Sequence, residues 1–240
     1  MKFLVWTNIR LVLIITVMVF LYSFTSVRNS HRKLKKSEVI FVGNSKNFLK
    51  QETVNKLLIE NNSDVKTIEK LGVNLNKLEN SINKHQMVKH SQVYVSVDGV
   101  LKAEVEQKTP IARFVNQGTS FYIDNEGSTM AISELFTSRV MLVTGLITPK
   151  NKQQVIALLN KIDKDDFLKK NIIGIQILSN DDVIMSNRIY NYQIDFGKMI
   201  NIDEKFENYK AFFQKTSKEK VLENYKKINL KFSHQVVCSK

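Results

Sequence analysis

The chain has little of what enzymes and disulfide-built proteins usually rest on. Among 240 residues there is one cysteine, Cys238, so no disulfide can close within the chain, and cysteine usage leaves the redox compartment open. The eight glycines form no phosphate-cradling loop, and no Gly-Lys-Ser/Thr occurs. There is no Gly-x-Ser-x-Gly elbow to raise a serine nucleophile. The four histidines are His31, His85, His90 and His234. His85 and His90 share no helical face, and His234 with Cys238 falls in a predicted strand or tail, so no metal-ligand spacing emerges. Asp124-Asn125-Glu126-Gly127 begins like a calcium loop, but the sixth position is Thr129 rather than glycine, and the stretch reads as a β-turn. These absences nominate no catalytic residue, no metal and no cofactor.

Acid is missing from the first 36 residues, which carry Lys2, Arg10, Arg28, Arg32, Lys33, Lys35 and Lys36. These seven account for about half of the formal charge of +13. The remaining +6 is spread over a lysine-rich surface without an arginine stripe interleaved with aromatics, which argues against nucleic acid as a partner. No small-molecule substrate is implied either.

One long apolar run is present. Leu11 to Val27 holds 17 uncharged residues, at the short end of what a spanning helix needs. No small-x-small cleavage site follows, so a retained anchor is expected rather than a cleaved signal. The positive-inside rule, applied to the five basic residues after the span alone, would place the large domain in the cytoplasm. Anionic lipid head groups offer those residues another neighbour.

The stretch Val93 to Phe114 organises the rest. Val93, Val95 and Val97 alternate with polar neighbours, as do Leu101, Ala103 and Val105, the period of half-buried strands. A three-residue loop, Val97 to Gly99, would pair Val95 with Leu101 and Val93 with Ala103, and would give Gly99 the left-handed position. Pro110, one of only two prolines, ends the regular pairing. Upstream, Ser37 to Val42 reads as a strand broken by Gly43-Asn44. Val54, Leu57 and Leu58 mark a short helix, and Asn61 to Asp64 a polar loop. Asn76 with Glu79 reads as a capping box for a second helix bearing Leu78 and Ile82. The order is strand, helix, helix, strand, strand.

Downstream, strands are predicted at Phe121–Ile123, Val140–Val143, Ile172–Leu178, Val183–Met185, Tyr190–Phe196 and Ile228–Phe232. Thr148-Pro149 should start a helix buried through Val155, Leu158, Leu159 and Ile162. Phe206, Tyr209, Phe212 and Phe213 form the apolar face of another. The predicted fold is α+β: one transmembrane helix, a small βααββ domain, then a mixed β-sheet domain with flanking helices and an exposed C-terminal edge strand. The predicted segments are a tail (1–10), the span (11–27), a basic juxtamembrane linker (28–36), the small domain (37–112) and the β domain (113–240).

Several short motifs, in this order, carry a resemblance. Glu38 to Asn44, EVIFVGN, looks like the first strand and Gly-Asn turn of a POTRA domain. Leu101 to Ala112, LKAEVEQKTPIA, resembles the POTRA exit of the FtsQ/DivIB cell-division family, "L-x-I-x-V-x-E-R-x-P-x-A". Tyr122 to Gly127 resembles its "Y-x-I-D-x-x-G" strand and turn, Lys205 to Phe213 its helix before the last strand, and Ile228 to Phe232 its terminal "I-D-L-R-Y" strand. Gln107, Lys108, Asn229, Lys231 and Phe232 replace the family's Glu, Arg, Asp, Arg and Tyr.

This resemblance implies a non-enzymatic, single-pass protein of the bacterial inner membrane, N-terminus cytoplasmic and bulk periplasmic. It implies a divisome scaffold that joins FtsB- and FtsL-like membrane proteins to the septal peptidoglycan synthase complex. The implied partner site is the last strand, Ile228, Asn229, Leu230, Lys231 and Phe232, open to β-augmentation. The implied domain junction is Gln107, Lys108, Pro110 and Arg113. The alternative is a membrane-tethered POTRA protein of another envelope assembly or secretion system, a class that usually carries POTRA repeats or a barrel.

Overall fold

The computed structural model describes residues 6–30, 32–43, 47–59, 65–116, 118–232 and 235–240. The chain divides into two compact units, Met1–Gln107 and Lys108–Lys240.

The first unit opens with helix α1 (Trp6–Ser30). Within it Asn8–Asn29 is long and apolar enough to cross a membrane, with none of that stretch buried in protein. At 1.5 Å per residue it reaches about 33 Å, the span of a hydrocarbon core. The helix outlasts the apolar run at both ends, because Arg10 and Arg28 can leave a bilayer along their own side chains. Two of its hydroxyls need no partner helix: Thr16 and Thr25 donate to the carbonyls of Val12 and Leu21, each at 2.8 Å. An N-terminal helix of this kind fits a single-pass membrane protein.

Strand β1 (Lys36–Val42) leads to α2 (Gln51–Ile59), α3 (Leu75–Asn83), β2 (Val88–Val95) and β3 (Val100–Gln107). The sheet order is β1-β3-β2, with β1 parallel to β3. A parallel pair needs a crossover, which the helices supply. Val54, Leu58 and Ile82 from the helices bury themselves with Val39, Leu101 and Val105 from the strands. The hairpin has the three-residue loop and the register predicted, Val95 against Leu101 and Val93 against Ala103. Gly99 sits at φ +86°, where a Cβ is disfavoured.

Some local expectations change. The cap of α3 is Asn74, whose side chain accepts from the Lys77 amide at 3.0 Å. Glu79 instead accepts the Val93 amide at 2.8 Å, tying α3 to β2. The segment 28–36 is not a free linker. Arg28 is helical, and from Arg32 onward the backbone is bonded into the small domain. Lys70 donates to the Arg32 carbonyl at 2.8 Å, Leu34 to Ile68 at 3.0 Å and Lys35 to Gly99 at 2.8 Å. Leu34 is the reason, an apolar residue among lysines that is 1% exposed. Asn44, the 61–64 loop, His31 and His234 lie outside the described residues.

The second unit is a nine-stranded sheet. Its strands are β4 (Pro110–Asn116), β5 (Thr119–Asp124), β6 (Thr129–Met130), β7 (Met141–Gly145), β8 (Ile172–Ile177), β9 (Asp182–Asn187), β10 (Gln193–Lys198), β11 (Lys227–Asn229) and β12 (Val237–Ser239). The order across the sheet is β12-β11-β10-β9-β8-β7-β4-β5-β6. The division between units falls after Gln107 rather than Ala112, because Pro110–Asn116 pairs with β5 and β7.

Two helices, α4 (Lys152–Lys164) and α5 (Asp166–Asn171), carry the chain from β7 to its parallel neighbour β8. Helix α6 (Ile202–Lys218) carries it from β10 to its parallel neighbour β11. The capping of α4 is reciprocal, one turn ahead of Lys152. The Thr148 amide donates to Asn151 Oδ1 at 2.8 Å, and Thr148 Oγ1 accepts the Asn151 amide at 3.3 Å. The Asp124 turn closes as predicted, with the Gly127 amide on the Asp124 carbonyl at 3.0 Å. The aromatic stripe of α6 lies in the core: Phe206 and Tyr209 are fully buried, and the Tyr209 and Tyr192 hydroxyls lie 2.9 Å apart.

Candidate partner-binding edge

The C-terminal end of the sheet is built on β10. Ile194 and Phe196 bury one face of it in the core, while Asp195 turns the other way. The strand irregularity between Asp195 and Gly197 is accommodated by Gly197 at φ +69°. A Cβ there would lie 2.7 Å from Lys231 Cγ, so glycine lets the Lys231 stem cross the strand.

Charge surrounds this crossing. Asp195 receives Lys227 at 3.0 Å and Lys231 at 3.3 Å, and Asp182 receives Lys198 at 3.3 Å and Lys231 at 3.5 Å. Asp195 and Asp182 lift the Lys231 ammonium above its ordinary pKa. Burial alone would push the Asp182 carboxyl up, but Lys198 and then Lys231 hold it below the usual carboxylate range. Beneath lies Lys205, 3% exposed. Its ammonium donates to the Phe196 carbonyl at 2.9 Å and the Lys198 carbonyl at 2.8 Å, and sits 4.6 Å from the Phe196 ring centre. Desolvation lowers its pKa, against the pull of Asp182 and Asp195. Nothing in the sequence pattern separates this lysine from its neighbours, because its burial is set by the strand that α6 covers.

Here the expected edge strand moves. Ile228 to Phe232 was predicted to end the sheet, yet β11 covers only Lys227–Asn229 and lies between β10 and β12. Leu230 is 1% exposed, and its amide donates to the Asp195 carbonyl at 2.9 Å. Lys231 is engaged with the two aspartates, and Phe232 is half exposed. The physical reason is the parallel β10–β11 pair. It leaves the far side of β11 open, and the chain turns back to fill it with β12, pairing Ile228 with Cys238.

The parity of the bonds then identifies the free groups. Gln193 donates to the Lys226 carbonyl, and Leu230 to that of Asp195, so Ile228 directs its backbone groups at β10. Lys227 and Asn229, one residue out of phase, face β12 and their partners Ser239 and Val237. Cys238 therefore turns its N–H and C=O away from the sheet. Its side chain is partly buried against the core, and burial pushes its thiol pKa up. Val237, its neighbour in the strand, is an exposed apolar group.

The residues predicted at the junction each act within one unit. Gln107 is 2% exposed. Its Oε1 accepts the Phe48 and Leu49 amides at 2.8 and 3.1 Å. Lys108 donates to the Thr129 carbonyl at 3.2 Å, Pro110 pairs with Asp124, and Arg113 Nε donates to Ser120 Oγ at 2.8 Å. Among the described residues no group of three or more His, Cys, Asp or Glu is placed to hold a metal. His85 is half-buried, and desolvation lowers its pKa.

A membrane-length helix, a small βααββ unit and a mixed sheet ended by a short strand make an α+β architecture that fits a single-pass membrane protein. Residues 109–239, more than half of the chain, match the family model described as FtsQ/DivIB, C-terminal related. The chain belongs to this family, which is a non-catalytic cell-division family. No curated protein matches it.

Proposed function

We propose that this protein is a non-enzymatic divisome scaffold, and that it recruits small FtsB- and FtsL-like membrane proteins and couples them to the septal peptidoglycan synthase complex. Family membership over the sheet unit supports the first part. The observation that carries the second is the outermost strand β12, which among the described residues turns the backbone of Cys238 outward next to exposed Val237. An extended partner segment can add there as a further strand, with backbone bonds giving affinity and the apolar flank giving register. Lys227 and Lys231, already held by Asp195, line the rim of that approach. In this reading the N-terminus is cytoplasmic and the two units after α1 are periplasmic. The small unit, with the strand order of a POTRA domain, serves recruitment.

The test is capture from solubilised membranes by the tagged full chain, by Cys238→Ser and by Cys238→Pro. Proline deletes the outward N–H at an edge without touching the bonds of β11 to β10. Small bitopic division proteins should be recovered by the first two and lost at least tenfold by the third, with thermal unfolding of the third close to wild type. Equal capture by a folded Cys238→Pro removes the edge mechanism, and capture of no division protein by any form removes the scaffold reading. A reporter fused after Lys240 that works only in the cytoplasm should be silent.

A further inference from the structure

The end of the small unit nearest α1 has an unusual surface. Ser30 ends the helix, and two peptide units reach at most about 7 Å, so Arg32 lies close to the end of the span. There the chain is already bonded to the domain, through the Arg32 carbonyl to Lys70 and through Lys35 to Gly99. β1 starts at Lys36, paired with Val100, and runs away from the span to Val42, paired with Glu106. The tip of the β2–β3 hairpin, Val97 to Gly99, must therefore sit at the membrane end of the unit. It is fastened there by the Lys70 ammonium on the Val97 carbonyl at 3.4 Å.

Val97 is 83% exposed, which an apolar residue at the tip of a polar loop has no structural reason to be. The chain that enters the domain here carries Arg28, Arg32, Lys33, Lys35 and Lys36, all exposed, with Lys35 bonded to Gly99 and half-buried Lys70 to Val97. Nearby acids are fewer: Glu69, bridged through its backbone to Lys33, Asp98 in the loop, and Glu38, ion-paired with Lys36 at 3.7 Å. An apolar tip beside a run of cations, two residues along the chain from an apolar span, matches one surface above others, a bilayer with anionic head groups.

We propose that this end of the small unit is a membrane seat. The Val97 tip enters the head-group boundary, and Arg28, Arg32, Lys33, Lys35 and Lys36 with Lys70 bind the anionic lipid phosphates near it. The unit then stands on the bilayer rather than swinging from it. The seat also gives the basic residues after α1 a use on the side where the positive-inside rule would not place them.

The experiment uses the full chain in vesicles, with Cys238→Ser removing the native thiol. A polarity-sensitive fluorophore is placed at Val97→Cys or, as a control at the far end of the same unit, at Lys84→Cys. Flotation with vesicles of neutral phosphatidylcholine, and of phosphatidylcholine with one quarter phosphatidylglycerol, first checks insertion. In the anionic vesicles the probe at 97 should shift to the blue and be quenched by shallow spin-labelled lipid several-fold more than the probe at 84. That difference should shrink in 0.5 M salt, and in the triple variant Lys33→Glu, Lys35→Glu, Lys70→Glu. The salt readout stands even if the triple variant misfolds. Water-like emission at 97 in both vesicle types, or quenching indifferent to phosphatidylglycerol and to salt, overturns the seat. Failure to float with either vesicle removes the span and the seat together.

Discussion

Gln107, 2% exposed, does with a neutral amide what a buried carboxylate could do only at the cost of desolvating its charge. Its oxygen accepts two backbone N–H groups from the segment entering α2, and its nitrogen reaches Asn47 Oδ1 at 3.4 Å. Replacement by alanine should destabilise the small unit by about 1–3 kcal/mol, because buried donors lose their acceptor. Gln107→Glu restores the acceptors and should recover part of that loss in chemical denaturation at neutral pH. Asp165 offers a second test. Burial pushes its carboxyl up, but Lys210 at 2.6 Å and the Leu168 and Phe167 amides outweigh this and hold it below its ordinary 3.8. A lowered carboxylate contributes stability that is complete above its unfolded pKa and is lost as pH falls through the folded one. Asp165 and Glu207 raise Lys210 above 10.5, so its share is complete below that value and is lost as pH rises through the raised one. The contribution of this pair should therefore be flat across the neutral range. Asp165→Asn keeps the helix cap and should flatten the acid limb of the thermal-unfolding profile. Asp165→Ala also loses the cap, about 0.5–2 kcal/mol at neutrality.

At the scale of elements, the sequence showed what alternates and concealed what pairs. The hairpin of β2 and β3 was legible to the residue, because a single register placed both apolar sets on one face. The stripes of α4 and α6 were legible for the same reason. β12 was not: Val237 to Ser239 is three residues long and has no alternation to read. Nor was the parallel β10–β11 pair, since period-two patterning is blind to strand direction. The consequence for design is concrete. Proline at Leu230, which an edge at Ile228–Phe232 would have made the disrupting substitution, instead deletes the internal bond to the Asp195 carbonyl. Leu230→Pro should lower the thermal midpoint of the sheet unit by several degrees, whereas Cys238→Pro should leave it nearly unchanged. Differential scanning of the two side by side separates a fold defect from a binding defect.

At the scale of the molecule, the anchor and the contact surface make different demands. The middle of α1 is mostly apolar, and Thr16 and Thr25 bond to carbonyls of their own helix, which leaves little there for a partner helix to complete. An unrelated apolar helix of equal length, joined at Asn29, should preserve partner capture to within about twofold. Loss of capture despite full membrane insertion would show that the helix itself is recognised. The crossover through α6 bears on a different matter, the order of events. A strand parallel to β10 cannot be laid down by a tight turn; the chain must first travel the length of α6 and come back. The outermost strand can only follow that return. Until that return is made, the place of β12 is empty and β10 itself is the exposed border, so for the proposed scaffold the surface a partner would meet is assembled only after α6 has docked.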